Sequence, residues 1–210
     1  MRAKHAVFAV LVAVTVAGCG GAHYTIVPPA VDLTAFESVG LVTFKSAGAK
    51  GDLDAVATQH FLEEVTAAQR VPVVELGPAD KVLAETGRAE FDREAVRAIG
   101  EKQGVDAVFI GEITVTKVKP QLDLAAPLSR TLFARTAMDM TVKARLVSVK
   151  NGATVWTSSA TRQGTVGTVG IEEGVPVFSV RDKSAATNDL LRRIMYQMTW
   201  DFRPTQQRVR

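Results

Sequence analysis

Cys19 is the one thiol in a chain of 210 residues, so any sulfur chemistry the protein undergoes has to happen there. A thiolate is a strong nucleophile that takes up alkyl and acyl groups, whereas a disulfide needs a second cysteine and a zinc centre needs further ligands. The residue sits in Val16-Ala17-Gly18-Cys19, at the end of a twelve-residue run (6–17) that is apolar except for Thr15 and follows Arg2 and Lys4. A basic start, a short apolar segment and small residues at its end make a secretory signal peptide, residues 1–18. The run is too short to span a bilayer, which takes ~20 apolar residues.

The other residue types offer no comparable chemistry. His23 lies in the sequence Gly20-Gly21-Ala22-His23 and His60 beside the apolar stripe of a predicted helix; no His/Cys/Asp cluster has the spacing of a metal site. Ser158-Ser159 falls in a predicted strand, with no Gly-x-Ser-x-Gly turn around it and no histidine nearby in sequence. Gly164, Gly167 and Gly170 lack the Lys-Ser/Thr of a phosphate loop and the strand-to-helix switch of a dinucleotide site, and read as a flexible turn. Glu172 and Glu173 are adjacent, so their carboxylates diverge at a solvated loop tip. The expectation is a protein that is not an enzyme, with no cofactor, no metal and no small-molecule substrate.

The Val-Ala-Gly-Cys sequence resembles the lipobox of bacterial lipoproteins. That resemblance implies cleavage between Gly18 and Cys19, diacylglycerol on the Cys19 sulfur and an acyl chain such as palmitate on the new amine. Each buried methylene contributes ~0.8 kcal/mol, so two or three chains on one residue make a stable anchor. An ordinary secretory signal with an incidental cysteine is the competing reading; a lone free thiol is unusual in an exported protein. Gly20 follows where an Asp would mark inner-membrane retention in lipoproteins, so the expected location is the outer membrane, lipid-anchored on its periplasmic face. Arg2 and Lys4 belong to the signal, which leaves 23 of the 25 basic side chains against 22 acidic ones. So even a balance gives no reason to expect nucleic acid as partner.

Residues 19–36 form the lipidated N-terminus and a tether, since Gly20-Gly21 and Pro28-Pro29 interrupt any helical or strand period. The folded part is expected over 37–203. Val39 to Phe44 reads as a buried strand, 53–69 as a helix with Ala57, Phe61, Val65 and Ala68 inward, and 71–76 as a strand. A short helix opens at Gly77-Pro78 and ends before Gly87; another starts after the N-cap Asp92, turns Val96 and Ile99 inward and stops near Gly104. Residues 105–115 are β-branched and read as a central strand. Met138, Met140, Val142, Ala144 and Leu146 alternate with polar residues, and Asn151-Gly152 predicts a two-residue hairpin that sets Trp156 opposite Val147. A second hairpin has Glu172-Glu173-Gly174 at its tip. A last helix, 185–202, lines up Leu191, Ile194, Met198 and Phe202, Pro204 ends it, and 204–210 is a basic tail. The fold class is α/β (α+β): a single domain with a mixed sheet of about five strands, an Asn-Gly hairpin and three to four packing helices.

This order, with Gly-Val-Asp-Ala-Val-Phe-Ile-Gly-Glu-Ile at 104–113 and Arg-Leu-Val-Ser-Val-Lys-Asn-Gly-Ala-Thr-Val-Trp at 145–156, resembles a superfamily of periplasmic lipoproteins. It contains the CsgG-type curli secretion channel subunit, the lipoprotein activators of penicillin-binding proteins and the N-terminal domain of the Tol-system β-propeller protein. The likeness spans roughly 37–203 and implies architecture more than activity. It implies a protein-binding scaffold or regulatory module in envelope assembly, with an unidentified envelope protein, or the chain itself, as partner. The alternative is an oligomeric outer-membrane channel subunit. A channel needs strand legs of ~9–11 residues with lipid-facing alternation, and 119–137, with Pro120, Pro127, Arg130 and Arg135, lacks sustained period two. Residues 119–137 and the glycine-rich 163–175 are the candidate contact surfaces.

Overall fold

The computed structural model describes residues 24–47, 50–121, 135–166, 170–172, 175–178 and 185–208. Gly18, Cys19, His23, residues 122–134 and Glu173-Gly174 lie outside them. The chain divides into a large unit, Ala30–Arg203, and a small one in which Met1–Pro29 joins Pro204–Arg210.

In the small unit, β1 (Tyr24–Val27) pairs antiparallel with β11 (Thr205–Arg208), Tyr24 opposite Arg208 and Ile26 opposite Gln206. Two expectations are corrected here. The tether contains a strand, and the tail supplies its partner. Four residues are too few to display a period, and the pairing spans nearly the whole chain, so neither segment signals it alone.

The large unit is a mixed α+β domain of four helices and a six-stranded sheet. The strands β2 (Val39–Thr43), β5 (Val73–Pro78), β6 (Ala107–Gln121), β7 (Arg135–Ser148) and β8 (Thr154–Val166) lie in the order β5-β2-β6-β7-β8, with β3 (Lys45–Ala47) pairing β6. The first three run parallel, joined by the helices α1 (Leu53–Ala68), α2 (Ala79–Thr86) and α3 (Arg93–Gln103); β7 and β8 add antiparallel. A small sheet sets β10 (Val175–Phe178) between β4 (Lys50–Gly51) and β9 (Gly170–Glu172). The hairpin around Glu172 is therefore present.

Period two sorts the side chains into two layers. Leu41, Phe109, Ile113, Met140, Val142, Leu146, Trp156 and Ala160 share one buried cluster with Phe61 and Val65 of α1. Leu191, Ile194, Met195 and Met198 of α4 (Ala185–Met198), then Phe202, complete it. On the other face Val42, Val108 and Val147 pack with Val82, Val96 and Ile99 of α2 and α3. Both short helices stop at a left-handed glycine, Gly87 and Gly104, each at φ 67°. The Asp92 carboxylate accepts the Ala95 N–H at 2.7 Å, as an N-cap should.

The first hairpin differs from expectation. Ser148 N–H donates to Ala153 O and Gly152 N–H to Ser148 O, closing a four-residue loop, and Trp156 stands opposite Leu146 because Val155 is an extra residue in β8. Contacts with α3 select the wider loop: Val149 packs against Gly100, where an added Cβ would lie 2.2 Å from it, and Arg93 Nε donates to Asn151 O. Residues 119–137 lack sustained period two, yet both ends pair as strand, Gln121 with Arg135 and Lys119 with Ala137. Register set in the core carries the ladder outward. Pro120 is tolerated because β6 has by then passed β3, whose last partner is Thr114.

The segment before β2 is also ordered: Leu33–Ala35 is a 3-10 turn capped by Asp32, with Leu33 fully buried. Gln69, at the end of α1, holds it, accepting the Leu33 N–H at 2.6 Å and donating to Val31 O at 2.6 Å and Phe202 O at 3.0 Å. One side chain thus ties the 31–33 segment and the turn at Phe202 to the end of α1. Gln69→Ala orphans buried backbone groups and is expected to cost about 2–3 kcal/mol in a urea titration, with the slope unchanged. An unaltered midpoint would show that water replaces the amide at no cost.

Candidate interaction surface

Helix α4 carries its core stripe on one side, and its other side faces solvent beside β8. Tyr196 and Trp200 are exposed there, 47% and 49%, and meet edge-to-face with centroids 5.8 Å apart. Exposed aromatic rings are poorly hydrated, so an edge-to-face pair left in water marks a surface that gains by being covered.

The pair is held in place from below. The Arg203 guanidinium lies 4.3 Å from the Tyr196 ring centroid, donates to Tyr196 O and Thr199 Oγ1, and ion-pairs with Glu64 of α1. Glu64 and Arg203 are under one-fifth exposed, so their mutual charge is only partly screened. Asp201 accepts the buried Trp156 indole N–H at 3.0 Å, which fixes the short turn carrying Trp200.

Around the rings is an open cleft of about 830 Å³, lined by Ser158 and Arg162 of β8, by Arg192, Arg193 and Gln197 of α4, and by the Glu64 and Asp201 carboxylates. Arg162 donates to Gln197 at 2.9 Å, and Arg192 and Arg193 flank Asp189 at 2.8 and 2.7 Å. The Arg192 hydrogen bond, with the Arg193 charge added, holds the Asp189 carboxyl below the usual carboxylate range. Two aromatics ringed by arginines, with the Glu64 and Asp201 carboxylates already engaged by Arg203 and the Trp156 indole, have the composition of a protein-binding centre.

A second cavity of about 850 Å³ lies on the opposite face, between the sheet and the end of α2, with Val42, Leu83, Phe91 and Ile110 on its walls. Some of its charged side chains are engaged: Lys143 pairs with Glu112 at 3.6 Å and Arg145 donates to Phe91 O at 3.0 Å. Among the described residues no buried side-chain nitrogen or oxygen lacks a partner.

The residues singled out by sequence fall as follows. His60 lies midway along α1, half-buried, its Nδ1 3.3 Å from Glu63 Oε2; the Gln59 amide first, and His60 second, hold the Glu63 carboxyl below its usual range. Ser158 faces the cleft beside arginines, and Ser159 alternates to the other side. No group of three or more metal-binding side chains occurs among the described residues, nor any helix long and apolar enough to cross a membrane. The α4 surface itself went unpredicted, although its signal is in the sequence: Tyr196 and Trp200 are four apart and off the stripe Leu191, Ile194, Met198, Phe202.

No protein-family model and no curated protein matches the chain. Among solved structures it is similar to the PelC dodecamer from Paraburkholderia phytofirmans, at 15% identity over 86% of this chain and 98% of that one, TM-score 0.50. Lipoprotein GNA1162 from Neisseria meningitidis aligns at 20% identity over 65% and 88%, TM-score 0.35. The LpoB C-terminal domain from Escherichia coli aligns at 16% over 63% and 87%, TM-score 0.38. At such identities the likeness to PelC is one of fold.

Proposed function

We propose that the chain is a non-catalytic lipoprotein of the bacterial envelope, fastened by Cys19 to the periplasmic face of the outer membrane, whose folded unit docks another envelope protein on the α4 surface. The edge-to-face, solvent-facing pair Tyr196 and Trp200 carries this reading. Residues 1–18 are then the signal, and the folded unit begins near Ala30, which shortens the tether to about ten residues.

A photo-crosslinking residue at Gln197 in intact cells is expected to give a discrete adduct, with none from Lys143 on the opposite face. Tyr196→Ala with Trp200→Ala should cut the adduct at least about tenfold, the loss typical of two hot-spot residues, while the thermal midpoint moves by only a few degrees. Adducts from Lys143 alone, or a Gln197 adduct indifferent to the double substitution, would remove the surface from consideration.

A second reading is self-association. The PelC structure is of a dodecamer. Here β6 and β7 continue as a paired ladder to Gln121 and Arg135. Adduct masses in multiples of the chain, with a ring in detergent, would select it over a foreign partner.

A further inference from the structure

The ribbon formed by β1 and β11 has a face that its position in the chain explains. Cross-strand pairs share a side, so Tyr24, Ile26, Gln206 and Arg208 project together, with Thr25, Val27, Thr205 and Gln207 on the other. Tyr24 is 60% and Ile26 72% exposed, the two most exposed large apolar side chains among the described residues. A tyrosine, an isoleucine and an arginine on one flat ribbon face match the chemistry of the membrane–water interface, where aromatic rings sit at headgroup level and arginine meets phosphate.

The distance to the anchor fixes the occupant. Tyr24 is five residues from Cys19, a span of at most about 17 Å when fully extended. A lipid on Cys19 therefore keeps the ribbon within one short tether of the headgroups, at an effective concentration where even a weak surface affinity is satisfied. We infer that the Tyr24–Ile26 face of this ribbon rests in the headgroup layer of the bilayer that holds the Cys19 lipid, giving the chain a second membrane contact. The inference rests on the lipid-anchor reading of Cys19.

The test replaces the lipid, so that it does not depend on whether cells acylate Cys19. The mature chain with Cys19→Ser and an N-terminal histidine tag is captured on phosphatidylethanolamine–phosphatidylglycerol vesicles containing nickel-chelating lipid. An environment-sensitive fluorophore is placed at Gln206→Cys, on the ribbon face, or at Val155→Cys, in the large unit. Nitroxide lipids are expected to quench the ribbon probe roughly twofold or more beyond the Val155 probe, as a contact a few ångströms deep requires. Tyr24→Ser with Ile26→Ser should abolish that difference while capture on the vesicles persists. Equal quenching at both sites in the unsubstituted ribbon overturns the inference, as does a difference that survives the double substitution. Palmitate incorporation at Cys19 in cells reports separately on the anchor.

Discussion

Cys19→Ser is expected to reduce incorporation of labelled palmitate to background and to leave residues 1–18 attached, raising the mass accordingly. Placed behind an ordinary cleavable secretory signal, the same mature chain should leave the membrane pellet for the soluble fraction. The size of the effect follows from the number of chains. A single myristoyl group binds with K of ~10⁴ M⁻¹, which is reversible, whereas two or three chains on one residue hold the protein through any washing step. The ribbon contact cannot substitute for them, because without the tether its effective concentration collapses to that of the bulk protein. Undiminished palmitate labelling, or a serine variant that still pellets behind the substituted signal, would refute the anchor.

The parts of the fold that depend on local chemistry were legible. Asp92 and Gly104 mark the ends of α3 because an N-cap and a left-handed stop are satisfied within a few residues. The alternation from Met140 to Leu146 shows because one face of β7 is core. The segment 104–113 has structural roles: Gly104 ends a helix, Asp106 accepts the Glu37 N–H at 2.7 Å, and Phe109 and Ile113 are core. What stayed hidden depends on distant partners. Nothing near Tyr24 announces Arg208, and the width of the Asn151 loop is decided by Arg93 and Gly100 of α3. The α4 surface was hidden for another reason. Its residues are recognisable only as departures from the core stripe, and a helix reading that stops at the stripe passes over them.

That separation between core and surface makes a sharp pair of expectations. Phe109, 1% exposed, stands at the centre of an aromatic cluster, with ring centroids 5.1 Å from Phe61, 5.8 Å from Phe202 and 5.9 Å from Trp156. These rings join β6, α1, β8 and the turn after α4, so one truncation loosens every element under the interaction surface. Phe109→Ala is expected to cost about 3–5 kcal/mol, from lost transfer energy and a cavity that surrounding strands cannot close. A domain of this size shifts its midpoint by about 2–4 °C per kcal/mol, so the thermal midpoint should fall by roughly 6–20 °C. Phe109→Leu, which keeps most of the volume, should lose less than half as much. Trp200→Ala, half exposed and outside the cluster, should move the midpoint by a degree or two while removing most of the Gln197 adduct. Calorimetry on the three variants separates the roles: a Trp200→Ala loss as large as that of Phe109→Ala would make Trp200 part of the core and leave α4 without a free binding face.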